Sequence, residues 1–111
     1  MKYPKVGEQV RVKGETGLHA VTKFWKEFGR PRWLLDDGRI FWNLDALVTR
    51  RQKTITVYVI QVHYGGQYGW EDVTEEEVLS EARDRRKEYR ENVSYPVRLI
   101  RRRERNPLYQ E

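Results

Sequence analysis

The chain has 111 residues, of which 38% are hydrophobic, 13% aromatic and 35% charged, and its formal net charge is +5. This length makes one domain or two very small ones, and the aromatic content argues against a disordered chain. The absence of cysteine excludes disulfides and thiolate metal sites. The N-terminal residues show no apolar segment of the kind that directs secretion or spans a membrane, so we expect a soluble, cytoplasmic protein without a membrane partner.

The basic excess lies in the first half of the chain. Residues 1–53 carry 12 lysines and arginines against 6 acidic residues, whereas residues 54–111 carry 10 against 11. A basic half-chain is typical of a protein that binds polyanions. A soluble barrel with one basic face is the alternative.

The first two predicted strands follow from alternation of apolar and polar residues. Val10 and Val12 alternate with polar residues between two glycines, which predicts a strand. Residues 17–25 predict a second strand, in which Leu18, Ala20 and Phe24 share one side. The other side carries His19, Val21, Lys23 and Trp25. Residues 26–31 are predicted to form a loop.

Asp37-Gly38 lies between two apolar segments and predicts a hairpin with a type I′ turn, because this dipeptide accepts positive φ angles. Residues 44–47 predict a single helical turn, and residues 48–50 a closing strand. Several short strands with a tight hairpin and a late helical turn describe an SH3-like barrel, which we place at residues 1–52. The predicted core includes Phe24, Leu34 and Phe41.

Three segments of the first half carry a resemblance to a known fold. They are the run Val-Gly-Glu-Gln-Val-Arg-Val-Lys-Gly from Val6, the Asp-Asp-Gly-Arg hairpin and Asp45-Ala46-Leu47-Val48. Together they resemble the SH3-like barrels of the KOW and Tudor types. Such barrels bind RNA, DNA, ribosomes, polymerase, proline-rich peptides or methylated side chains, so the resemblance implies a fold and leaves the function open.

The second predicted domain, residues 53–111, contains a strand (54–64), a glycine-rich bend, a helix (75–91) and a strand (95–101), a ββαβ or βαβ unit. The sequence Thr74-Glu75-Glu76-Glu77 predicts a capping box at the start of the helix. Val78, Leu79, Ala82, Arg86 and Tyr89 share one helical face. The whole chain is therefore predicted to have an α+β fold with one amphipathic helix.

The central strand of this domain is apolar on both sides, which predicts burial of both faces. Ile55, Val57 and Val59 point one way, and Tyr58, Ile60 and Val62 the other. The helix can cover only one face. The other face is predicted to pack on the barrel or on a second copy of the chain, so a homodimer is one alternative.

The second half resembles small uncharacterised proteins of bacteriophages and other bacterial mobile elements. The residues that carry this resemblance are Tyr58-Val59-Ile60-Gln61, Tyr68-Gly69-Trp70-Glu71-Asp72, Thr74-Glu75-Glu76-Glu77, Glu81-Ala82-Arg83, Tyr89-Arg90-Glu91-Asn92 and Ile100-Arg101-Arg102-Arg103. The resemblance implies an origin in such elements and implies no activity.

No residue pattern points to catalysis, a cofactor or a metal. His19 and His63 lie far apart in the sequence without clustered ligands, and the adjacent Asp36 and Asp37 are expected to face apart. Asp72 is expected to pair with an arginine or a backbone amide rather than to act as an acid or base. We therefore predict a protein that is not an enzyme.

Aromatic residues are interleaved with basic ones in the first half, a pattern typical of single-strand nucleic-acid binding. The alternative is that these rings form the core of a small barrel. The candidate nucleic-acid-binding residues are Lys23, Trp25, Lys26, Arg30, Arg32, Arg39 and Trp42. The sequence thus predicts binding of RNA, DNA or a nucleoprotein complex, and the alternative is a module that docks on a bacterial host protein. The arginines at 101–105 either contact phosphate or pair with acidic residues of the helix.

Overall fold

The structure, a computed structural model, describes residues 3–110 and combines two antiparallel sheets with one α-helix, an α+β architecture. The first sheet contains β1 (Gln9–Val12), β2 (Leu18–Glu27), β3 (Arg30–Leu35), β4 (Ile40–Phe41) and β5 (Leu47–Val48), in the order β4-β3-β2-β1-β5. The predicted helical turn is a 3-10 turn over Leu44–Ala46. Because β4 and β5 are the edges of this sheet, the SH3-like barrel stays a prediction.

The second sheet contains β6 (Thr54–His63), β7 (Trp70–Glu76) and β8 (Val97–Arg105), in the order β7-β6-β8, and helix α1 (Leu79–Asn92) connects β7 to β8. A second 3-10 turn, Gly66–Tyr68, lies in the glycine-rich bend between β6 and β7. By internal packing the chain divides into two units, one containing residues up to Thr54 and again from Arg105, the other Ile55–Glu104. The predicted boundary after residue 52 did not anticipate the return of the C-terminal residues to the first unit.

Trp33 is the centre of the first unit's core. Its side chain is fully buried, and its indole Nε1 donates to the carbonyl oxygen of Pro4 at 3.3 Å. Phe24 and Phe41 pack against this core, as predicted. The assignment of Leu34 to the core was wrong, because a strand alternates and the burial of Trp33 and Leu35 turns Leu34 to the opposite face.

A bulge in β2 explains a second difference from the predicted pattern. The register with β3 shifts between Val21 and Lys23, so Thr22 is an extra residue, and its hydroxyl donates to the carbonyl oxygen of Leu34 at 3.1 Å. Val21 and Phe24 consequently both face the core. The simple alternation that placed them on opposite sides fails at this bulge.

Two hairpin turns differ from their predicted forms. At the first, Gly38 N–H donates to the Leu35 carbonyl, and the positive φ of 88° falls on Gly38 alone, not on Asp37. This is a three-residue loop, a type I turn followed by a glycine in the left-handed region, rather than a type I′ turn. The predicted loop at 26–31 is instead a two-residue turn between β2 and β3, with φ of 51° at Phe28 and 77° at Gly29.

Both faces of β6 are buried, as its two-sided apolar pattern predicted. Val59 and Ile60 point to opposite faces, and both are fully buried. On one face Ile60 and Val62 pack with Ala82 of α1 and Val97 of β8. The helix covers this face because Ala82 leaves room for close approach of the helix to the sheet.

The predicted capping box was wrong. Thr74 lies in β7, where it pairs with Ile60, and the helix begins at Leu79 after the N-cap residue Val78, which makes no side-chain cap hydrogen bond. Pairing of Thr74 with the central strand outweighs the local capping preference of a Thr-x-x-Glu sequence. The predicted helical face is correct at Ala82, which is fully buried, and at Tyr89, which packs against the core.

Candidate functional site

The outward side of β2, β3 and β4 carries a row of two tryptophans and an arginine. Trp25 pairs directly with Arg32, and Leu34 pairs with Ile40. Continuing the β3–β4 register by one position sets Trp42, the residue after Phe41, opposite Arg32. β4 ends at Phe41, so Trp42 lies one residue beyond the paired segment. With neighbouring strands about 4.8 Å apart, an ideal continuation of the sheet puts Trp25 and Trp42 about 10 Å apart on either side of Arg32. We call the outward side formed by Lys23, Trp25, Arg32, Ile40 and Trp42 the basic–aromatic face.

The two tryptophans of this face differ in exposure. Trp42 is 67% exposed, whereas Trp25 is partly buried. Ile40, on the same face, is 47% exposed. Trp33, in contrast, supplies the core. The structure thus separates the tryptophans of β2 to β4 into one core residue and two on the outward side, and the core requirement of a small unit does not account for Trp42.

Lys23 and Arg32 supply the positive charge of the face. The Lys23 ammonium lies 5.2 Å from the centre of the Trp25 ring, a cation–π distance. Glu27 partly opposes this charge, because one carboxylate oxygen is 3.6 Å from Arg32 Nε and the other accepts from Trp25 Nε1 at 3.3 Å. The face is therefore basic with one built-in acidic group.

The end of the β2–β3 hairpin carries two more of the predicted site residues and one that sequence reasoning missed. Lys26 and Arg30 are exposed there, and within residues 3–110 neither forms an ion pair. Phe28 occupies the first turn position and is 100% exposed. The sequence did contain a signal for this exposed ring, a Phe-Gly pair with basic residues on both sides. Because residues 26–31 were predicted to form a loop, the pair was not recognised as a two-residue turn.

Arg39, like Arg32, has carboxylate partners, and its contacts to them are the closer ones. Its guanidinium binds Glu15 at 2.6 and 2.9 Å, and its Nε donates to Asp37 at 2.6 Å. These contacts raise the pKa of Arg39, and the same hydrogen bonds from Arg39 lower the pKa of Glu15. Its position over the Phe41 ring, 5.5 Å away, belongs to this structural cluster. Arg39 therefore has little charge left for a phosphate.

Asp36 and Asp37 converge on His19 rather than facing apart as predicted. His19 Nδ1 is 2.7 Å from an Asp36 oxygen and 3.8 Å from an Asp37 oxygen, and the ligand-type atoms of the three residues lie within 4.8 Å of one another. The remaining Asp36 oxygen accepts from the Ala20 amide at 3.0 Å. Both carboxylates have hydrogen-bond partners within the protein, since Asp37 also accepts from Arg39. The arrangement fixes the loop after β3 to β2.

In the second unit, Asp72 pairs with an arginine, as predicted. Arg102 contacts both Asp72 oxygens, at 2.7 and 3.3 Å, and Gln61 donates to Asp72 at 2.7 Å. The hydrogen bonds from Arg102 and then Gln61 lower the pKa of Asp72. The partner of Arg102 thus lies on β7 and not on the helix. Arg98 continues the network, donating to Gln61 at 2.8 Å and stacking 4.2 Å over Trp70.

Comparison of the chain with protein-family models, with curated proteins and with solved structures gives no match. Within the described residues no helix is both long and apolar enough to cross a membrane.

Proposed function

We propose that this protein binds single-stranded nucleic acid through the basic–aromatic face, without catalysing a reaction. Trp25 and Trp42 stack on unpaired bases, and Arg32 lies between them to meet the connecting phosphate. Stacking is open to every base because each has a π-face, so the binding is tolerant of sequence. The separation of about 10 Å across two strand spacings allows two bases to be engaged together.

The observation that carries the proposal is the exposed Trp42 immediately after β4, on the sheet in which Trp25 pairs with Arg32. Trp42 is 67% exposed, so its ring offers an open face on which a base can stack. Lys23 beside Trp25 extends the positive charge along the same hairpin, as do Lys26 and Arg30 at its end, for which residues 3–110 supply no ion-pair partner. A polyanion with flat apolar groups complements both properties.

Salt titration of binding tests the proposal, using a fluorescein-labelled oligo-dT and an RNA of mixed sequence. Affinity should fall with salt by a log–log slope of about 0.7 per neutralised phosphate. Lys26→Gln with Arg32→Gln should weaken binding to all sequences and flatten this slope. Trp42→Ala should reduce affinity by roughly 5- to 150-fold and leave the slope unchanged.

Arg39→Gln is the matched charge control for this titration, because Arg39 is already paired with Glu15 and Asp37. It should leave the salt slope near that of the wild type. The proposal is abandoned when the intact protein binds neither DNA nor RNA at low salt. Arg39→Gln removes one charge and the double variant removes two, so a slope that flattens half as much with Arg39→Gln would assign the attraction to net charge alone.

We further propose that the first unit is an SH3-like barrel and that the protein is a cytoplasmic accessory factor of a bacteriophage or mobile element. The strand order, the tight hairpins and the 3-10 turn before β5 support the first point. The resemblance of the second half to small phage proteins supports the second. An experimental structure and the genomic neighbourhood of the coding sequence are the respective tests.

A protein-docking function is the second candidate, favoured by exposed tyrosines in the second unit. Tyr64 and Tyr95 form an edge-to-face pair with ring centres 5.2 Å apart, and Tyr68 in the glycine-rich bend is 65% exposed. Tyrosine is enriched at protein interfaces because its ring is large, rigid and amphipathic. Capture of one host protein from a nuclease-treated bacterial lysate, abolished by Tyr68→Ser with Tyr95→Ser, would support this function.

A further inference from the structure

The tip of the β2–β3 hairpin carries an aromatic ring in an unfavourable backbone conformation. Phe28 has φ of 51°, and it is the one non-glycine residue among those described with a positive φ. The following Gly29 has φ of 77°, so both central turn positions lie in the left-handed region. Asparagine is the favoured residue at the first position of such a turn, whereas a bulky side chain there is rare.

The Phe28 side chain receives no compensation from the rest of the chain. It is 100% exposed, so it buries no apolar area against the fold. A residue that neither suits its turn nor packs contributes nothing evident to stability. Strained positions of this kind are typically found at functional sites.

The position of Phe28 relative to the basic–aromatic face indicates what the ring contacts. At about 3.3 Å per residue, Phe28 lies roughly 10 Å beyond Trp25 along the hairpin. Lys26 and Arg30 lie on either side of the turn, and neither has an ion-pair partner among residues 3–110. A nucleic acid bound along the face would leave it at this tip, where it can contact the Phe28 ring and the charges of Lys26 and Arg30.

We propose that the hairpin tip binds the junction between a single strand and a duplex, with Phe28 stacked on the terminal base pair. The inference rests on the proposed single-strand binding by the face. A ring on a narrow two-residue tip can stack on an unpaired base or on the end of a base stack, but not on a base inside a continuous duplex, whose bases are exposed only in the grooves. Lys26 and Arg30 meet the phosphates of the two strands that diverge at the end of the stack. The ligand class is therefore a nucleic-acid junction, such as a stem with a single-stranded overhang.

The test compares three fluorescein-labelled DNA probes: a single strand of about ten nucleotides, a blunt duplex, and the same duplex carrying that strand as an overhang. The wild-type protein should bind the overhang duplex more tightly than either other probe. Phe28→Asn removes the ring and gives the turn its preferred Asn-Gly sequence, so its melting temperature should equal or exceed that of the wild type. This variant should lose about tenfold in affinity for the overhang duplex, with single-strand affinity unchanged within about twofold.

Phe28→Gly is a second ringless variant that tolerates positive φ, and Phe28→Trp is the control that should retain the junction preference. An equal preference in the wild type and both ringless variants overturns the assignment of Phe28 while leaving single-strand binding in place. Single-strand binding without any junction preference overturns the junction proposal itself. Binding to none of the three DNA probes overturns the junction inference, and the proposed function is overturned as well when the RNA of mixed sequence is not bound either.

Discussion

The side-chain amide of Asn106 donates to the carbonyl oxygen of Thr49 at 2.8 Å, across 57 positions of sequence. The same amide nitrogen donates to Gln52 at 2.7 Å, and the Asn106 backbone N–H donates to Lys53. Asn106 is 1% exposed, so it satisfies buried carbonyl groups that water does not reach. This one side chain fixes the C-terminal residues to the segment that follows β5.

Asn106→Ala should therefore lower the free energy of unfolding by about 2–4 kcal/mol, because it leaves two carbonyl groups without their donor. Chemical denaturation measures this change. Asn92→Ala is the matched control, since the Asn92 amide also donates to a carbonyl, that of Glu88, but at an exposed position of α1. The control should cost less than about 0.5 kcal/mol. Equal losses for the two variants would contradict the role assigned to Asn106.

Ala82→Asp should destabilise the second unit strongly, because Ala82 is fully buried against Ile60 and Val62. A carboxylate there is buried without a partner, at a cost of several kcal/mol. Ser80→Asp introduces the same charge at an exposed position in the first turn of α1 and should be neutral or slightly stabilising. Thermal melting of the two variants compares them directly. An unchanged melting temperature for Ala82→Asp would show that the buried face of the helix is misassigned.

Acid should weaken the contacts of Asp36. The hydrogen bond from the Ala20 amide, and then that from His19, lowers the pKa of Asp36 below its ordinary value of 3.8. A carboxyl group whose pKa is lower in the folded protein than in the unfolded chain stabilises the fold at pH values above its pKa in the unfolded chain. This stabilisation disappears as the pH falls through its pKa in the folded protein. The melting temperatures of the wild type and Asp36→Asn should therefore differ at about pH 6, and the difference should shrink as the pH falls below 3.8 and through the lower pKa of the folded protein. A difference independent of pH would contradict this account.

The sequence predicted those elements whose signals lie within a few neighbouring residues. The predictions failed where contacts with residues distant in the sequence determine the structure. Alternation along β6 predicted its two buried faces, and the helical spacing of Ala82 and Tyr89 predicted the buried side of α1. Thr74 carried a genuine capping signal, but its pairing with Ile60 depends on a strand that a local window does not contain. The return of Asn106 to the first unit likewise depends on the three-dimensional path of the chain.

The candidate site was predicted in part for the same reason. The sequence left open whether Trp25 and Trp42 form part of the core, and the structure has Trp42 67% exposed and Trp25 partly buried. The sequence did not reveal that Arg39 is bound by Glu15, 24 positions earlier. It also did not reveal that Phe28 occupies a two-residue turn and is fully exposed, because a bulky residue in a type I′ turn contradicts ordinary turn preferences. Such a local contradiction is itself a signal of function.

The acidic residue of the basic–aromatic face provides the sharpest test of where a nucleic acid binds. Glu27 holds Trp25 Nε1 at 3.3 Å and lies 3.6 Å from Arg32, so it competes with a phosphate for the same cation. Glu27→Gln should strengthen binding of a single-stranded oligonucleotide by about fivefold at low salt, which corresponds to one unit charge at about 4 Å in water. The increase should shrink as salt is added, because screening weakens the repulsion that Glu27 exerts.

Glu91→Gln is the control for that increase, since it changes the net charge equally at an exposed position of α1. Fluorescence anisotropy at two salt concentrations should show stronger binding for Glu27→Gln and nearly wild-type binding for Glu91→Gln. Equal strengthening by both variants would mean that the nucleic acid responds to the net charge of the chain. Weaker binding of Glu27→Gln would mean that Glu27 positions Trp25 for stacking, and that its hydrogen bond to the indole outweighs its repulsion of phosphate.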